Sequence, residues 1–267
     1  MNTGLKEKLQ NLENYLKKLG NLAVAFSGGV DSSFLLLIAG LVLKDKVKAF
    51  TIDTVYIPHR EIEQAKEFTA KHKIKHEVIT VPLIEIIKHN PSDRCYFCKT
   101  FIFKRLLNDA KLSGFNHLAE GTNADDVQNH RPGLKALDEL GIISPLKQMN
   151  FTKEDIREVS KKYNLSTWNK PAYACLLTRI PYGTEISPKE LELIEKSETY
   201  LIHKGFDGVR VRSHGNLARI EVLPEHMGKI LNQKLLLEIA VKLKEFGYQF
   251  VTVDAQGYKS GSFDHVK

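Results

Sequence analysis

The 267-residue sequence is poor in cysteine, with three, and holds a single tryptophan. So few thiols, odd in number, do not build the disulfide framework that staples small secreted domains. Metal binding and thiol chemistry stay open to Cys95, Cys98 and Cys175. Long apolar runs are also missing. No stretch approaches the roughly 18 apolar residues of a membrane span, and residues 1–8 lack the apolar core of a signal peptide. The expected location is cytoplasmic, with no membrane partner. Internal repeats, low-complexity tracts and basic blocks of about five residues are absent too. The net charge of +7 permits anionic partners from nucleotides to RNA and does not choose among them. Length and a hydrophobic content of 42% suit one large or two modest globular domains.

What is present is organised around Leu22 to Ser33. Leu22 to Phe26 reads as a buried strand, Ser27-Gly28-Gly29 as a tight turn, and the residues from about Asp31 as a helix. Two adjacent glycines let backbone approach a ligand closely and reach positive φ. A turn opening into a helix N-terminus presents unpaired N–H groups and the positive dipole end, which suits phosphate. No Gly-Lys-Ser/Thr follows, so this is not a Walker A loop. An ordinary strand–helix turn capped by Asp31 or Ser32 is the plain alternative. The full Ser27-Gly-Gly-Val-Asp-Ser32 string resembles the PP-loop of the ATP pyrophosphatase superfamily. That resemblance implies attack on ATP between the α and β phosphates, AMP transfer and pyrophosphate release.

Taken in order, apolar residues at 5, 9, 12, 16 and 19 predict an amphipathic helix stopped by Gly20. Strands are expected at 47–52, 77–81 and 116–120, with helices at 59–72 and from about 101 to 112. This alternation predicts an α/β fold, a doubly wound parallel sheet, with the glycine turn, Asp53 and Gly121 along one edge. In the superfamily the residues after the second strand frame adenine, which makes Thr51 a nucleotide neighbour. Gly121-Thr122-Asn123 with Asp125 and Asp126 either caps the next helix or forms a second ATP loop, a carboxylate serving Mg²⁺. Arg131 is a candidate phosphate clamp. Thr152 with Asp155 is a capping-box start. A first domain is expected over 1–165. A smaller C-terminal α+β domain over 166–267 is expected to hold a helix at 188–203, a hairpin at 208–223, a helix at 229–246 and a strand at 250–253.

Cys95-Tyr-Phe-Cys98 has the spacer that lets two sulfurs reach one soft metal or an iron–sulfur cluster. A redox pair, a zinc site completed by His or Asp, and two half-buried cysteines at a helix start share that spacing. Arg210-Val-Arg212 alternates on a strand, so both guanidinium groups leave by one face. A solvated charged sheet explains it plainly, and a cradle for an anionic substrate explains it functionally, with Arg179 a further candidate.

Asp93-Arg-Cys-Tyr-Phe-Cys-Lys99, Glu120-Gly-Thr-Asn123, Arg131-Pro-Gly-Leu-Lys135, Trp168-Asn-Lys170, Cys175 with Arg179-Ile-Pro-Tyr-Gly183, and Val209-Arg-Val-Arg212 with Ala218-Arg-Ile-Glu221 accompany the PP-loop. Together they resemble the LarE family, almost end to end. The family consists of ATP-dependent sulfur transferases that build the nickel-pincer nucleotide cofactor. The resemblance implies adenylation of a carboxylate of pyridinium-3,5-biscarboxylic acid mononucleotide, followed by sulfur attack to give a thiocarboxylate. It implies ATP, Mg²⁺ and a [4Fe-4S] cluster on Cys95, Cys98 and Cys175, with sulfide or another sulfur donor. The sacrificial cysteine of the other branch of the family aligns with Ala174. Catalytic roles fall on Cys175 and Asp31, and nucleotide contacts on Ser27, Gly28, Gly29, Asp31, Ser32, Thr51, Gly121, Thr122, Asp125 and Arg131. Arg179, Arg210, Arg212, Glu198 and Glu221 become substrate residues, and a homo-oligomer, often hexameric, is implied. A tRNA-thiolating PP-loop enzyme is the rival enzyme, though no RNA-binding module or basic block with interleaved aromatics argues for nucleic acid. A non-catalytic nucleotide- or metal-sensing protein is the other alternative.

Overall fold

The computed structural model describes residues 1–128, 132–171 and 174–259. They fall into two compact units. One comprises residues 1–54, 59–84 and 93–170, and the other residues 55–58, 85–92 and 171–267.

The first unit carries a four-stranded parallel sheet flanked by helices. Helix α1 (Thr3–Leu19) begins at an Asn2 cap and ends at Gly20. Strand β1 (Leu22–Ala25) then leads through the glycine turn into α2 (Val30–Leu43). Ten of the fourteen α2 residues are buried, so this helix is apolar on every side rather than amphipathic. It belongs to the core with α1, β1, Phe151, Ile156 and Val159. The alternation continues with β2 (Val47–Asp53), α3 (His59–Lys71), β3 (Lys75–Thr80), α4 (Arg94–Leu112) and β4 (Leu118–Ala119). Helices α5 (Pro132–Glu139), α6 (Pro145–Gln148) and α7 (Lys153–Lys162) complete the unit.

The strand order is β3-β2-β1-β4, all pairs parallel. The chain therefore builds outward on one side of β1 and then returns to its other side. Loops leaving β1 and β4 at their carboxyl ends diverge, and that divergence is where open α/β sheets bind ligands. The α/β expectation holds, and no helix among the described residues is long and apolar enough to cross a membrane.

Three expectations for the first unit need correction. The fourth strand is two residues long, not five, because Glu120 already turns its carboxylate back onto Thr122 and Ser144. Helix α4 begins at Arg94, so the two cysteines lie in its first turn rather than before it. Neither Asp31 nor Ser32 caps α2; its N-cap is Gly29, which has no side chain to offer.

The second unit contains α8 (Pro188–His203) and the antiparallel hairpin of β5 (Arg210–His214) and β6 (Leu217–Glu221). The expected helix over 229–246 is two pieces, α9 (Met227–Ile230) and α10 (Gln233–Phe246). Asn232 ends the run because its side chain takes the N–H of Leu235 at 3.1 Å, a cap that competes with continuous helix. Strand β7 (Phe250–Val253) joins β6 in parallel. Leu201, Phe206, Val211, Ile220, Ile239 and Leu243 form the centre of this core.

Beneath the sheet's carboxyl edge, the Thr51 hydroxyl donates to the Phe26 carbonyl at 2.7 Å and lies 2.8 Å from His76 Nε2. Thr51 has one proton, already given to Phe26, so Nε2–H donates to it. Nδ1 lies 3.0 Å from the Thr69 hydroxyl, which is also 3.0 Å from the Ala65 and Lys66 carbonyls. Burial, aided by Lys66, pushes the His76 pKa down to about 4. The unfolded chain takes up this proton near pH 6.5, so stability present above that pH is lost as the solution is acidified towards pH 4. Urea midpoints measured at pH 7 and pH 5 should fall less on acidification for His76→Gln than for the native chain. Parallel pH slopes would refute the assignment.

Candidate functional site

The glycine turn is shaped by its own side chains. Gly28 sits at φ +67°, a conformation costly for any residue with a Cβ. The hydroxyls of Ser27 and Ser32 are 3.0 Å apart, and Ser27 Oγ reaches the Gly29 N–H at 3.4 Å. With no side-chain cap at Gly29, the start of α2 presents its backbone donors and positive dipole end to the turn.

The loop after β4 closes against this helix start. A Cβ on Gly121 would lie 2.8 Å from the Ser32 nitrogen and 3.1 Å from its Cα, so only glycine lets the two backbones meet. Immediately beyond, the Thr122 N–H and hydroxyl donate to Glu120 Oε2 at 3.0 and 2.7 Å. The Ser144 hydroxyl donates to Glu120 Oε1 at 2.5 Å. Asn123 accepts the N–H groups of Asp125 and Asp126 at 2.9 and 3.2 Å and donates to Asp31 Oδ1 at 3.3 Å.

Two lysines that the sequence reading did not assign complete the surroundings. Lys153 opens α7 behind the Thr152–Asp155 capping box, and its N–H donates to Asp125 Oδ2 at 2.8 Å. Its ammonium pairs with Asp31 Oδ2. The two side chains are 38% and 20% exposed, and a pair that accessible contributes about 0–1 kcal/mol. Lys170 donates to the Gly28 carbonyl at 3.0 Å, Glu61 Oε2 at 2.8 Å and Gln64 Oε1 at 2.7 Å. Lys170 was visible as part of Trp168-Asn-Lys170. Lys153 carried no signal beyond the capping box beside it.

Thus the first unit gathers Ser27, Gly28, Gly29, Asp31, Ser32, Gly121, Thr122 and Asp125 at one edge of the sheet. Thr51 is near that edge, but its hydroxyl is committed to Phe26 and His76. Arg131 lies outside the described residues. Cys95 is exposed and Cys98 half-buried, one turn apart on α4, and Tyr96 between them donates its hydroxyl to Glu139 at 2.7 Å.

In the second unit the arginines are inside rather than on a solvated sheet. Arg179 is fully buried and donates through Nε and Nη2 to the two oxygens of Glu198, at 2.8 and 3.0 Å. Its Nη1 donates to the carbonyls of Ala174 and Cys175 at 2.9 and 3.2 Å and to the Thr178 hydroxyl at 2.7 Å. Burial alone would push the Glu198 carboxyl up, but Arg179, Arg210 and the Val211 N–H outweigh it and hold the group ionised. Arg212 donates to Glu221 Oε2 at 3.0 and 2.8 Å and also to the Thr178 carbonyl. Arg210 donates to the carbonyls of Gly208 and Val209 at 3.1 and 2.9 Å and lies 5.0 Å from the centre of the Tyr258 ring. Cys175 is half-buried at the start of a 3-10 turn over Leu176–Arg179 and forms no disulfide.

The asparagine synthase family model matches residues 10–103. An uncharacterized protein of Synechocystis is 36% identical over 264 residues, covering 98% of both chains. One from Methanocaldococcus jannaschii is 34% identical, covering 95% of this chain and 98% of its own. The pyridinium-3,5-bisthiocarboxylic acid mononucleotide synthase of Lactiplantibacillus plantarum is 32% identical over 262 residues, covering 96% of this chain and 94% of its own. The chain belongs to the LarE family. It is an ATP-dependent sulfurtransferase with a PP-loop domain. Among the described residues, no three His, Cys, Asp or Glu side chains are gathered as a metal site.

Two outcomes follow for this LarE-family chain. Gly121→Ala forces the β4 loop off the start of α2 and should lower stability by about 1–3 kcal/mol while raising KM for ATP. Unchanged denaturation and kinetics would contradict the close contact. Removing one partner of a buried ion pair leaves the other uncompensated. Arg179→Met should therefore cost about 3–5 kcal/mol in chemical denaturation, and adding Glu198→Leu should recover much of it. A double variant no more stable than the single would argue against that balance.

Proposed function

We propose that the chain adenylates a carboxylate of pyridinium-3,5-biscarboxylic acid mononucleotide and converts it to a thiocarboxylate in biosynthesis of the nickel-pincer nucleotide cofactor. The reading rests on the 32% identity to the L. plantarum synthase, which extends over 96% of the chain. In the first step the carboxylate oxygen attacks the α-phosphorus of ATP. The bond from that phosphorus to the bridging oxygen breaks, and pyrophosphate leaves with the electron pair. A sulfur nucleophile then adds to the acyl carbon, and AMP leaves. The second step needs the first because a bare carboxylate oxygen is a poor leaving group.

Residues 1–165 carry the nucleotide chemistry and two of the three cysteines in this reading, and residues 166–267 carry the substrate chemistry and Cys175. Ser27, Gly28, Gly29, Asp31 and Ser32 cradle the phosphates, with Gly121, Thr122, Asp125, Thr51 and Arg131 as further nucleotide neighbours. Asp31 and Asp125 supply hard oxygen donors, both within reach of Lys153, and would hold Mg²⁺. Arg210 and Arg212 are the residues that would meet the substrate phosphate, in exchange for the carbonyl and carboxylate partners they hold here. Arg179, Glu198 and Glu221 hold the surrounding loop and strand in shape.

Cys95, Cys98 and Cys175 are a soft donor set, outside any disulfide, and the first two are one helical turn apart. That chemistry fits a [4Fe-4S] cluster, which those three residues would hold. Bound there, such a group would supply sulfur taken from an exogenous donor. Ala174 at the place of the sacrificial cysteine supports this branch of the family. The protein works in the cytoplasm as a homo-oligomer in this reading.

Pyrophosphate release should appear on mixing the protein with ATP and the pyridinium dicarboxylate. Release only with tRNA would move the substrate to RNA, and no release with either would leave a nucleotide sensor. Cys175→Ala should keep pyrophosphate release and lose thiocarboxylate, read by mass spectrometry. An anaerobic preparation should contain iron and acid-labile sulfide, and a colourless zinc-only protein would remove the cluster.

A further inference from the structure

In the second unit, the loop that carries Cys175 rests its backbone carbonyls on side-chain donors. Arg179 and Arg212 account for those of Ala174, Cys175 and Thr178. The carbonyls of Leu177, Ile180 and Pro181 converge instead on one amide, Asn90 Nδ2, at 3.3, 2.9 and 3.0 Å. Asn90 is fully buried. It arrives from a segment of the same unit, residues 85–92, that lies 87 positions earlier in the chain. The two stretches are joined through their backbones as well. The Gly183 N–H donates to the Asn90 carbonyl at 3.2 Å, and the Ile186 N–H to the Lys88 carbonyl at 2.8 Å.

Two features of Asn90 carry a cost that filling space does not require. Its φ is +46°, a left-handed conformation that Asn tolerates better than most residues with a Cβ. Its Oδ1 is buried and has no hydrogen-bond partner among the described residues, an arrangement that native proteins keep rare. Turning the amide over would not cure this, because the oxygen would then face three carbonyl oxygens. The amide is therefore committed to donation. A disfavoured backbone and an orphaned acceptor are both retained so that the loop is held, and such strain gathers at functional sites.

Asn90 precedes Cys95 by five residues, and Leu177 follows Cys175 by two. Fully extended, those stretches span at most about 18 Å and about 7 Å. The amide thus ties the chain that leads into Cys95-Tyr-Phe-Cys98 to the loop of Cys175, with a short tether on either side. Building on the cluster reading above, we propose that Asn90 is the positioning residue that presents Cys175 to the group held by Cys95 and Cys98. It acts through the carbonyls of Leu177, Ile180 and Pro181. Without the amide, Arg179 still grips the carbonyls of Ala174 and Cys175, but the fastening to the chain before Cys95 is left to the backbone bonds at Gly183 and Ile186. The third thiol then has to be ordered at the moment the group is bound, at a cost in entropy.

The test follows each cysteine of the full-length, metal-free protein by mass spectrometry during alkylation with iodoacetamide. In parallel, the chain is reconstituted anaerobically with ferrous iron and sulfide, and bound iron and acid-labile sulfide are assayed. Asn90→Asp keeps the size and the tolerance for positive φ, but an ionised carboxylate cannot donate; Asn90→Gly removes the amide while relieving the backbone. Both should raise the alkylation rate at Cys175 at least tenfold, leave Cys95 within twofold, and lose at least half of the bound iron. ATP binding measured by calorimetry should stay within twofold, which shows that the first unit remains folded. Ile239→Ala, a cavity in the core of the second unit, should lower the melting temperature while keeping native iron content and native Cys175 reactivity. Native reactivity or native iron content in both Asn90 variants would overturn the positioning role and leave the cluster reading in place. Equal changes in Ile239→Ala would make Asn90 a general stabiliser and overturn the role as well. No iron on the unaltered chain would overturn the cluster reading, and this role with it.

Discussion

The contact between Gly121 and the backbone of Ser32 is the constraint on which the first unit's site depends. It occurs where the strand order reverses, between the loop that follows β1 and the loop that follows β4. Because residue 121 has no side chain, the second loop can lie directly on the first turn of α2. The hydrogen bonds beyond it then fall into place. Glu120 ties Thr122 to Ser144, and Asn123 joins the helix start to the Asp125 turn. The open donors at the start of α2 are a general property of helix ends. Their confinement by a second backbone is particular to this arrangement.

The parts of this arrangement that were legible in the sequence are those whose causes are local. An apolar run before two glycines and another after them announce strand, turn and helix, and Thr152 with Asp155 announces the start of α7. Lys153 and Lys170 were not legible in the same way. Their partners, Asp31 and Gly28, are 122 and 142 residues away in the chain, and neither period nor spacing encodes such pairings. The interruption between α9 and α10 was hidden for the opposite reason. Its cause is one asparagine in a run whose apolar pattern continues through it. For Arg210 and Arg212, alternation correctly put both on one face of a strand but could not say that the face is buried. Their carboxylate neighbours sit on α8 and β6, elements that only the tertiary fold brings close.

The second unit keeps several full charges away from water, which is a weak source of stability on its own. Their geometry points to a different use. The carbonyls of Ala174, Cys175 and Thr178 all end on guanidinium groups, from Arg179 or Arg212. The loop that carries Cys175 is thus gripped through these backbone carbonyls, with the Thr178 hydroxyl accepting from Arg179 as well. Such a loop can exchange the residue at 174 or 175 without losing its path.

The strand order has a consequence for the order of assembly. Strand β1 is the second element of the chain, yet it lies inside the sheet, between β2 and β4. Pairing with β2 is available once residues 47–53 exist, while the other edge of β1 stays open until residues 118–119 arrive. An open edge on an apolar strand is a liability during synthesis. The loop carrying Gly121 follows directly after the strand that closes that edge. The turn can therefore acquire its second wall only after the sheet is complete, and occupation of the nucleotide site reports that this unit has finished folding.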